Sequence, residues 1–199
     1  MLFETHITVD STDVGGWLKC CKDASLKSLY IELSQGKHRH QLLSASTFRV
    51  NHLGEADICV SRLCRCITDN GFKILRIKLE CPLDETPHDG LVPAYFECHI
   101  KFPLIKDGRG VKETARRTKT AASEDLLARD GNFQKWYLTA RHYFEPELYN
   151  RKKMSDEDQA RYKFLETRKL VEDSLSVRSM DMECVIYDTN PGLDEGWVQ

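Results

Sequence analysis

Two histidines stand at matching places in two similar strands. Phe3-Glu4-Thr5-His6-Ile7-Thr8 recurs as Phe96-Glu97-Cys98-His99-Ile100-Lys101, keeping Phe, Glu, His and Ile. Side chains of a strand alternate between its faces. Glu4, His6 and Thr8 therefore share one face, and Glu97, His99 and Lys101 share the matching one. An unperturbed imidazole titrates near about 6.5, so two opposed rings can serve as general base and general acid close to neutrality. A hydroxyl two residues along the same face can hold a phosphate oxygen, and a lysine there can do so as a point charge. Arg76, Lys78 and Arg141 lie on other polar strand faces and add positive charge for the same purpose. On this expectation His6 and His99 are the catalytic pair, while Thr8, Lys101, Arg76, Lys78 and Arg141 hold the phosphate.

The same residues permit a second chemistry. Glu4, His6, Glu97 and His99 form a set of two imidazoles and two carboxylates, a donor set that suits Zn, Mn, Fe or Ni. Vicinal-oxygen-chelate enzymes build comparable sites from the opening and closing strands of each module, and Glu80 and Glu183 occupy closing-strand positions. Against that resemblance, such modules lack a helix directly before the last strand, and residues 55–70 and 155–175 read as helices. A third possibility is a non-catalytic module that binds nucleotides or RNA. Between Lys101 and Lys119 there are seven cationic residues and two acidic ones. Such a segment can contact a nucleic-acid backbone, although charge runs are usually solvated loops.

These side chains need strands to carry them. Residues 3–9 alternate as a strand. Asp10 to Asp13 offers caps for a short helix reaching Cys21, and Leu29–Leu33 and His40–Thr47 read as strands. Ala56, Cys59, Val60, Leu63, Cys66 and Ile67 recur at helical spacing, and Asn70-Gly71 supplies a C-cap. Phe72 to Glu80 is an alternating strand with Arg76, Lys78 and Glu80 on one side. The order β-α-β-β-α-β is ferredoxin-like. The second half begins again at Tyr95. Residues 106–122 read as a basic loop, Ser123–Leu127 as a short capped helix, Lys135–Tyr143 as a strand, the segment after Ser155 as a long helix, and Ser179–Tyr187 as the closing strand. The fold expected is α+β: two duplicated ferredoxin-like lobes whose antiparallel sheets face each other across a bilobal cleft. The lobes are residues 1–82 and 95–188, joined by a linker at 83–94 and followed by a tail at 189–199. The tail's oxygens fall short of a cation-binding loop and read as a turn, with Trp197 anchoring it by packing.

The duplication, together with His6-Ile7-Thr8 and its counterpart His99-Ile100-Lys101, resembles the two-histidine (2H) phosphoesterase superfamily. That resemblance implies a bilobal fold, an activity on cyclic phosphates or 2′-5′ linkages of RNA and nucleotides, and no metal or other cofactor. It also implies a phosphorylated small molecule or an RNA end as partner. Lys101 departs from the family's His-x-Thr/Ser pattern, since lysine replaces the hydroxyl residue, and this puts catalysis by the second motif in question.

Bulk composition sets outer limits. The chain has 199 residues, 41 % hydrophobic and 30 % charged, with 29 basic and 31 acidic side chains and a net charge of −2. That total carries no nucleic-acid footprint. No apolar run approaches the roughly 18 residues that span a bilayer, and the N-terminus lacks a signal-peptide pattern. A cytoplasmic location is expected. Of the eight cysteines, none forms a C-x-x-C pair, so reduced thiols packed as small hydrophobes are expected rather than a structural zinc site.

Overall fold

A computed structural model describes residues 1–86, 92–143 and 155–197. Its elements run β1 (Leu2–Val9), α1 (Val14–Asp23), β2 (Lys27–Leu33), β3 (His40–Arg49), α2 (Leu53–Asp69), β4 (Ile74–Pro82), β5 (Tyr95–Lys101), α3 (Arg109–Thr118), β6 (Ala121–Asp130), β7 (Phe133–His142), α4 (Asp156–Glu172) and β8 (Ser179–Asp188). Short 3-10 turns cover Leu83–Glu85 and Pro191–Asp194.

The strands do not form two sheets facing across a cleft. All eight join one closed antiparallel barrel in the order β1-β3-β2-β6-β7-β5-β8-β4. This corrects the bilobal expectation. Each half contributes four adjacent strands, and two seams close the ring. β2 pairs with β6 through Ile31, Glu32 and Leu33, and β4 pairs with β8 around Cys81 opposite Cys184. An open sheet leaves unpaired N–H and C=O groups at its edges; joining edge to edge satisfies them. The polar strand faces that read as solvated surface become the lining of a lumen. Eight strands enclose a space that side chains nearly fill, with room for one small ligand.

The alternation of β1 shows how the layers arise. Phe3, Ile7 and Val9 point outward under the helices and are buried, while Glu4, His6 and Thr8 line the lumen. Trp17 of α1 and Ile67 of α2 pack on Ile7, Val9 and Leu42. In the other half, Val111 and Ala115 of α3 and Phe164 and Val171 of α4 cover Phe96, Cys98, Ile100 and Leu138. Burying each such large apolar side chain contributes about 1.5–3 kcal/mol, so the helix-covered outer face carries the stability and leaves the lumen free to hold charge. Asp13 accepts from Gly16 N at the start of α1, and Ser155 accepts from Asp158 N at the start of α4, each satisfying an orphan helix donor.

Two segments differ from the sequence expectation. Residues 109–118 are a helix, not a loop: Val111, Thr114 and Ala115 form a narrow buried stripe of spacing three and four. Ser123–Leu127 is not a helix but part of β6, where Ser123 pairs with both Leu33 and Tyr137. Ser-Glu-Asp has the composition of a helix start, but strands on both sides pair with Ser123–Asp125, and pairing outweighs local preference.

Candidate functional site

The barrel encloses a cavity of about 170 Å³. One wall is apolar, made by Leu29, Ile31 and Leu33 of β2 and Leu43 of β3. The opposite wall carries the ionisable side chains of β1, β4, β5 and β8. Register brings them together: Glu4 lies opposite Glu80, His6 opposite Lys78 and Thr8 opposite Arg76. On the other side Glu97 lies opposite Glu183, His99 opposite Asp181 and Lys101 opposite Ser179.

The cations of this wall are engaged by carboxylates. Lys78 Nζ sits 2.7 Å from Glu97 Oε2. Arg141 donates through Nε and Nη2 to Glu97 Oε1 at 2.9 and 2.5 Å, and through Nη2 to Asp194 Oδ2 at 2.7 Å. Arg76 grips both oxygens of Asp188, at 2.9 and 2.6 Å, and reaches Asp194 Oδ1 at 2.9 Å. The Tyr95 hydroxyl donates to Asp188 Oδ2 at 2.5 Å, and the Arg141 guanidinium stacks on the Tyr95 ring, 4.1 Å from its centroid. Lys101 forms an ion pair with Asp181. Burial works against ionised Glu97, but Lys78 and Arg141 hold its carboxyl well below the usual range.

A different group is left short of partners. Glu80 is fully buried, and neither of its oxygens has a hydrogen-bond donor in line. Lys78 Nζ comes within 2.7 Å of Oε2, close enough for charge attraction, but its direction is outside hydrogen-bond geometry. Burial, with Glu183 adding to it, raises the Glu80 carboxyl in spite of Lys78 and His6. Buried His99 Nε2 and Glu183 Oε2 also lack an aligned partner, though they lie 3.2 Å apart. His6 places Nε2 at 3.2 Å from Glu4 Oε1 and Nδ1 at 3.5 Å from Glu80 Oε1. Burial alone would depress His99, but the carboxylates of Glu183 and Glu97 raise it to about 9.

These donors converge. One ligand atom each from Glu4, His6 and Glu80 lies within 4.8 Å of the others, and the same holds for Glu80, His99 and Glu183. His99 is oriented from behind by Thr139, whose Oγ1 is 3.0 Å from Nδ1, leaving Nε2 for the lumen. Metal-bound histidines are usually fixed through the second ring nitrogen in this way. Imidazole and carboxylate donors with open positions suit first-row divalent ions.

Of the residues singled out from sequence, Glu4, His6, Thr8, Arg76, Lys78, Glu97, His99 and Lys101 line the one cavity, and Arg141 stands behind Glu97. Glu97 does not join the metal-type groupings, since Lys78 and Arg141 occupy it. Segment 106–119 lies on the outer surface with α3. There Arg109 pairs with Asp107, Arg116 with Glu113, and Arg117 donates to Leu170 O and Ser174 Oγ. Sequence reasoning missed Asp194, which the tail inserts between Arg76 and Arg141, and Tyr95 and Asp188, which complete that network. It also missed the apolar wall, whose only sequence signal is the alternation Leu29, Ile31, Leu33.

Among the described residues no helix is long and apolar enough to cross a membrane. No protein-family model matches the chain, and no curated protein does. Solved structures with some likeness include the acetolactate synthase small subunit from Thermotoga maritima, at 9 % identity, covering 95 % of this chain and 96 % of that one, with a TM-score of 0.30. Others are an anthrone oxidase-like protein, at 12 % identity, 94 % and 92 % coverage and a TM-score of 0.26, and an unknown protein from Galdieria sulphuraria, at 14 % identity, 93 % and 98 % coverage and a TM-score of 0.28. At such scores none of them lends this chain a fold family or a function.

Proposed function

We propose that this chain is a metal-dependent enzyme. A divalent first-row cation is held in the lumen at Glu80, with either Glu4 and His6 or His99 and Glu183 as its further donors. The carrying observation is Glu80: a fully buried carboxylate with no aligned donor, set within reach of ligand atoms from both histidines. A buried carboxylate without an aligned donor is costly; Lys78, 2.7 Å from Oε2 and shared with Glu97, offsets its charge without supplying that donor, and a bound cation would complete it. When bound, such an ion acts as a Lewis acid on a substrate oxygen. The protein's own contribution is to fix the donors on paired strands and to shape the space beside them. The cavity accepts a small molecule whose polar end, for example a phosphoryl oxygen, meets the ionic wall while its hydrocarbon part lies against Leu29, Ile31, Leu33 and Leu43.

Paired-histidine phosphate chemistry without a metal draws less support. Arg76, Lys78, Lys101 and Arg141, the cations it needs, are each already held by a carboxylate. Nucleic-acid contact through residues 106–119 is likewise weakened by the internal pairing of Arg109 and Arg116.

The test is metal dependence. Protein stripped with a chelator and titrated with Mn²⁺ should bind it and gain stability, by about 2.7 kcal/mol at a hundredfold excess over Kd. Mn²⁺ is chosen because eight free cysteines would attract a softer ion such as Zn²⁺. His6→Ala and Glu80→Gln should weaken the binding. Wild-type protein that binds no Mn²⁺, Fe²⁺ or Zn²⁺ above the level of Glu80→Gln would refute the reading.

A further inference from the structure

The two groupings of donors share a residue, and that sharing carries more than a metal site. β4 and β8 are equivalent strands of the two halves and pair antiparallel with Cys81 opposite Cys184. The residues before these cysteines, Glu80 and Glu183, therefore flank a local twofold axis, and both face the lumen. Glu80 stands opposite Glu4 of β1, and Glu183 opposite Glu97 of β5. Perfect symmetry would give His6 the pair Glu4 and Glu80, and His99 the pair Glu97 and Glu183. His99 Nε2 does lie 3.6 Å from Glu97 Oε2, but that carboxylate is already held by Lys78 and Arg141. Glu80 stands in for it: its ligand atom lies within 4.8 Å of those of His99 and Glu183, as well as those of His6 and Glu4. Both Glu80 oxygens lack an aligned hydrogen-bond donor, and Lys78 Nζ, 2.7 Å from Oε2, has Glu97 Oε2 as an equally close second partner, so Glu80 can turn both oxygens to ions.

We infer that the lumen holds two divalent ions bridged by Glu80, one completed by Glu4 and His6 and the other by His99 and Glu183. This rests on the metal-centre reading above and adds the number of ions and the role of the bridge. Ions sharing a carboxylate in this manner sit about 3.5–4 Å apart in two-metal sites, and three protein donors leave each with open positions. Lys78 keeps Glu97 as its partner when Glu80 turns to the ions. The remaining lumen acids on Arg76 and Arg141 stay where they are.

The number of ions decides the matter. Metal-stripped full-length protein is titrated with Mn²⁺, and bound metal per chain is measured together with the electron paramagnetic resonance spectrum. Two Mn²⁺ per chain with a spin-coupled spectrum is the expected result. Glu4→Gln should reduce the ratio from two to one and replace the coupled spectrum with that of an isolated ion. Glu183→Gln should do the same, whereas Glu80→Gln should lose both ions. One Mn²⁺ per chain in the wild type overturns the bridge while leaving the metal centre standing, and no Mn²⁺ overturns both. Two uncoupled ions that survive Glu80→Gln would place the metals elsewhere and overturn the inference. Circular dichroism melts of each variant keep loss of metal distinct from loss of fold.

Discussion

Two glutamates of similar burial should respond oppositely to the same small change. Glu80 and Glu97 both line the ionic wall, with side chains 1 % and 2 % exposed. Glutamine keeps the volume of either and removes its charge. At position 97 the change takes a carboxylate from both Lys78 and Arg141, which it now contacts at 2.9 Å or less, leaving Lys78 only Glu80, with which it is 2.7 Å apart but not aligned for a hydrogen bond. Breaking a buried pair by removing one partner costs about 3–5 kcal/mol. Arg141 keeps Asp194, so the lower end of that range, about 3 kcal/mol, applies to Glu97→Gln. At position 80 the accounting runs the other way. Lys78 loses an attraction but retains Glu97, while the chain is relieved of a buried carboxylate without an aligned donor, a burden of about 1–3 kcal/mol or more for a charged group. Repulsion between Glu80 and Glu183 disappears as well. Metal-free Glu80→Gln should therefore unfold within about 1 kcal/mol of the wild type, or above it. Urea unfolding in the presence of chelator measures both variants, with equal slopes required for the comparison. Adding Mn²⁺ should then reverse the order, stabilising the wild type and not Glu80→Gln. If metal-free Glu80→Gln loses as much stability as Glu97→Gln, Glu80 is a structural partner of Lys78, and its place as a metal ligand fails.

Two further outcomes test the scaffold. Burial opposes ionised Asp188, but hydrogen bonds from Arg76 and Tyr95 more than offset this and lower its carboxyl below the usual range. The unfolded chain takes up that proton more readily, so the stability Asp188 contributes is present above its unfolded pKa of about 3.9 and is lost as pH falls through its lower folded value; Asp188→Asn should flatten that acid limb of an unfolding-versus-pH curve, and an unchanged limb would remove Asp188 from the account. At Gly108 an added Cβ would stand 2.1 Å from a Trp136 ring carbon, so Gly108→Ala should cost about 1–3 kcal/mol by overpacking, and a thermal melt unchanged from the wild type would show that Trp136 moves aside freely.

Parts of this molecule were legible in the residues, and others were not. The repeated Phe-Glu-x-His-Ile strand and the alternation of residues 74–80 place Glu4, His6, Arg76, Lys78 and Glu80 on polar faces, because a two-residue period needs no knowledge of neighbours. Closure of the barrel was hidden, since a polar face reads the same whether it meets bulk water or an enclosed lumen. The β2–β6 seam rests on three residue pairs, and nothing local in Ile31-Glu32-Leu33 names its partner. The strand nature of Ser123–Leu127 could have been found from the duplication itself, which demands a strand after the first helix of the second half; the acidic helix-start pattern outweighed that signal. α3 was missed because its buried stripe holds only Val111, Thr114 and Ala115 among basic neighbours. Asp194 was out of reach, because a tail residue enters the site through tertiary folding alone.

The twofold arrangement of the barrel has a consequence for assembly. Each half is a four-strand unit with its own two helices, and the halves meet only along two hydrogen-bonded seams, the outer core and the ionic lumen. The covalent link between β4 and β5 raises the effective concentration of the two halves for one another. Fragments ending at Thr86 and beginning at Val92 therefore carry complementary interfaces, and neither owns a full set of lumen donors: Glu4, His6 and Glu80 lie in one, His99 and Glu183 in the other. Reassembly of the two pieces would be reported by recovery of the shared site, making the barrel a natural scaffold for split-protein complementation.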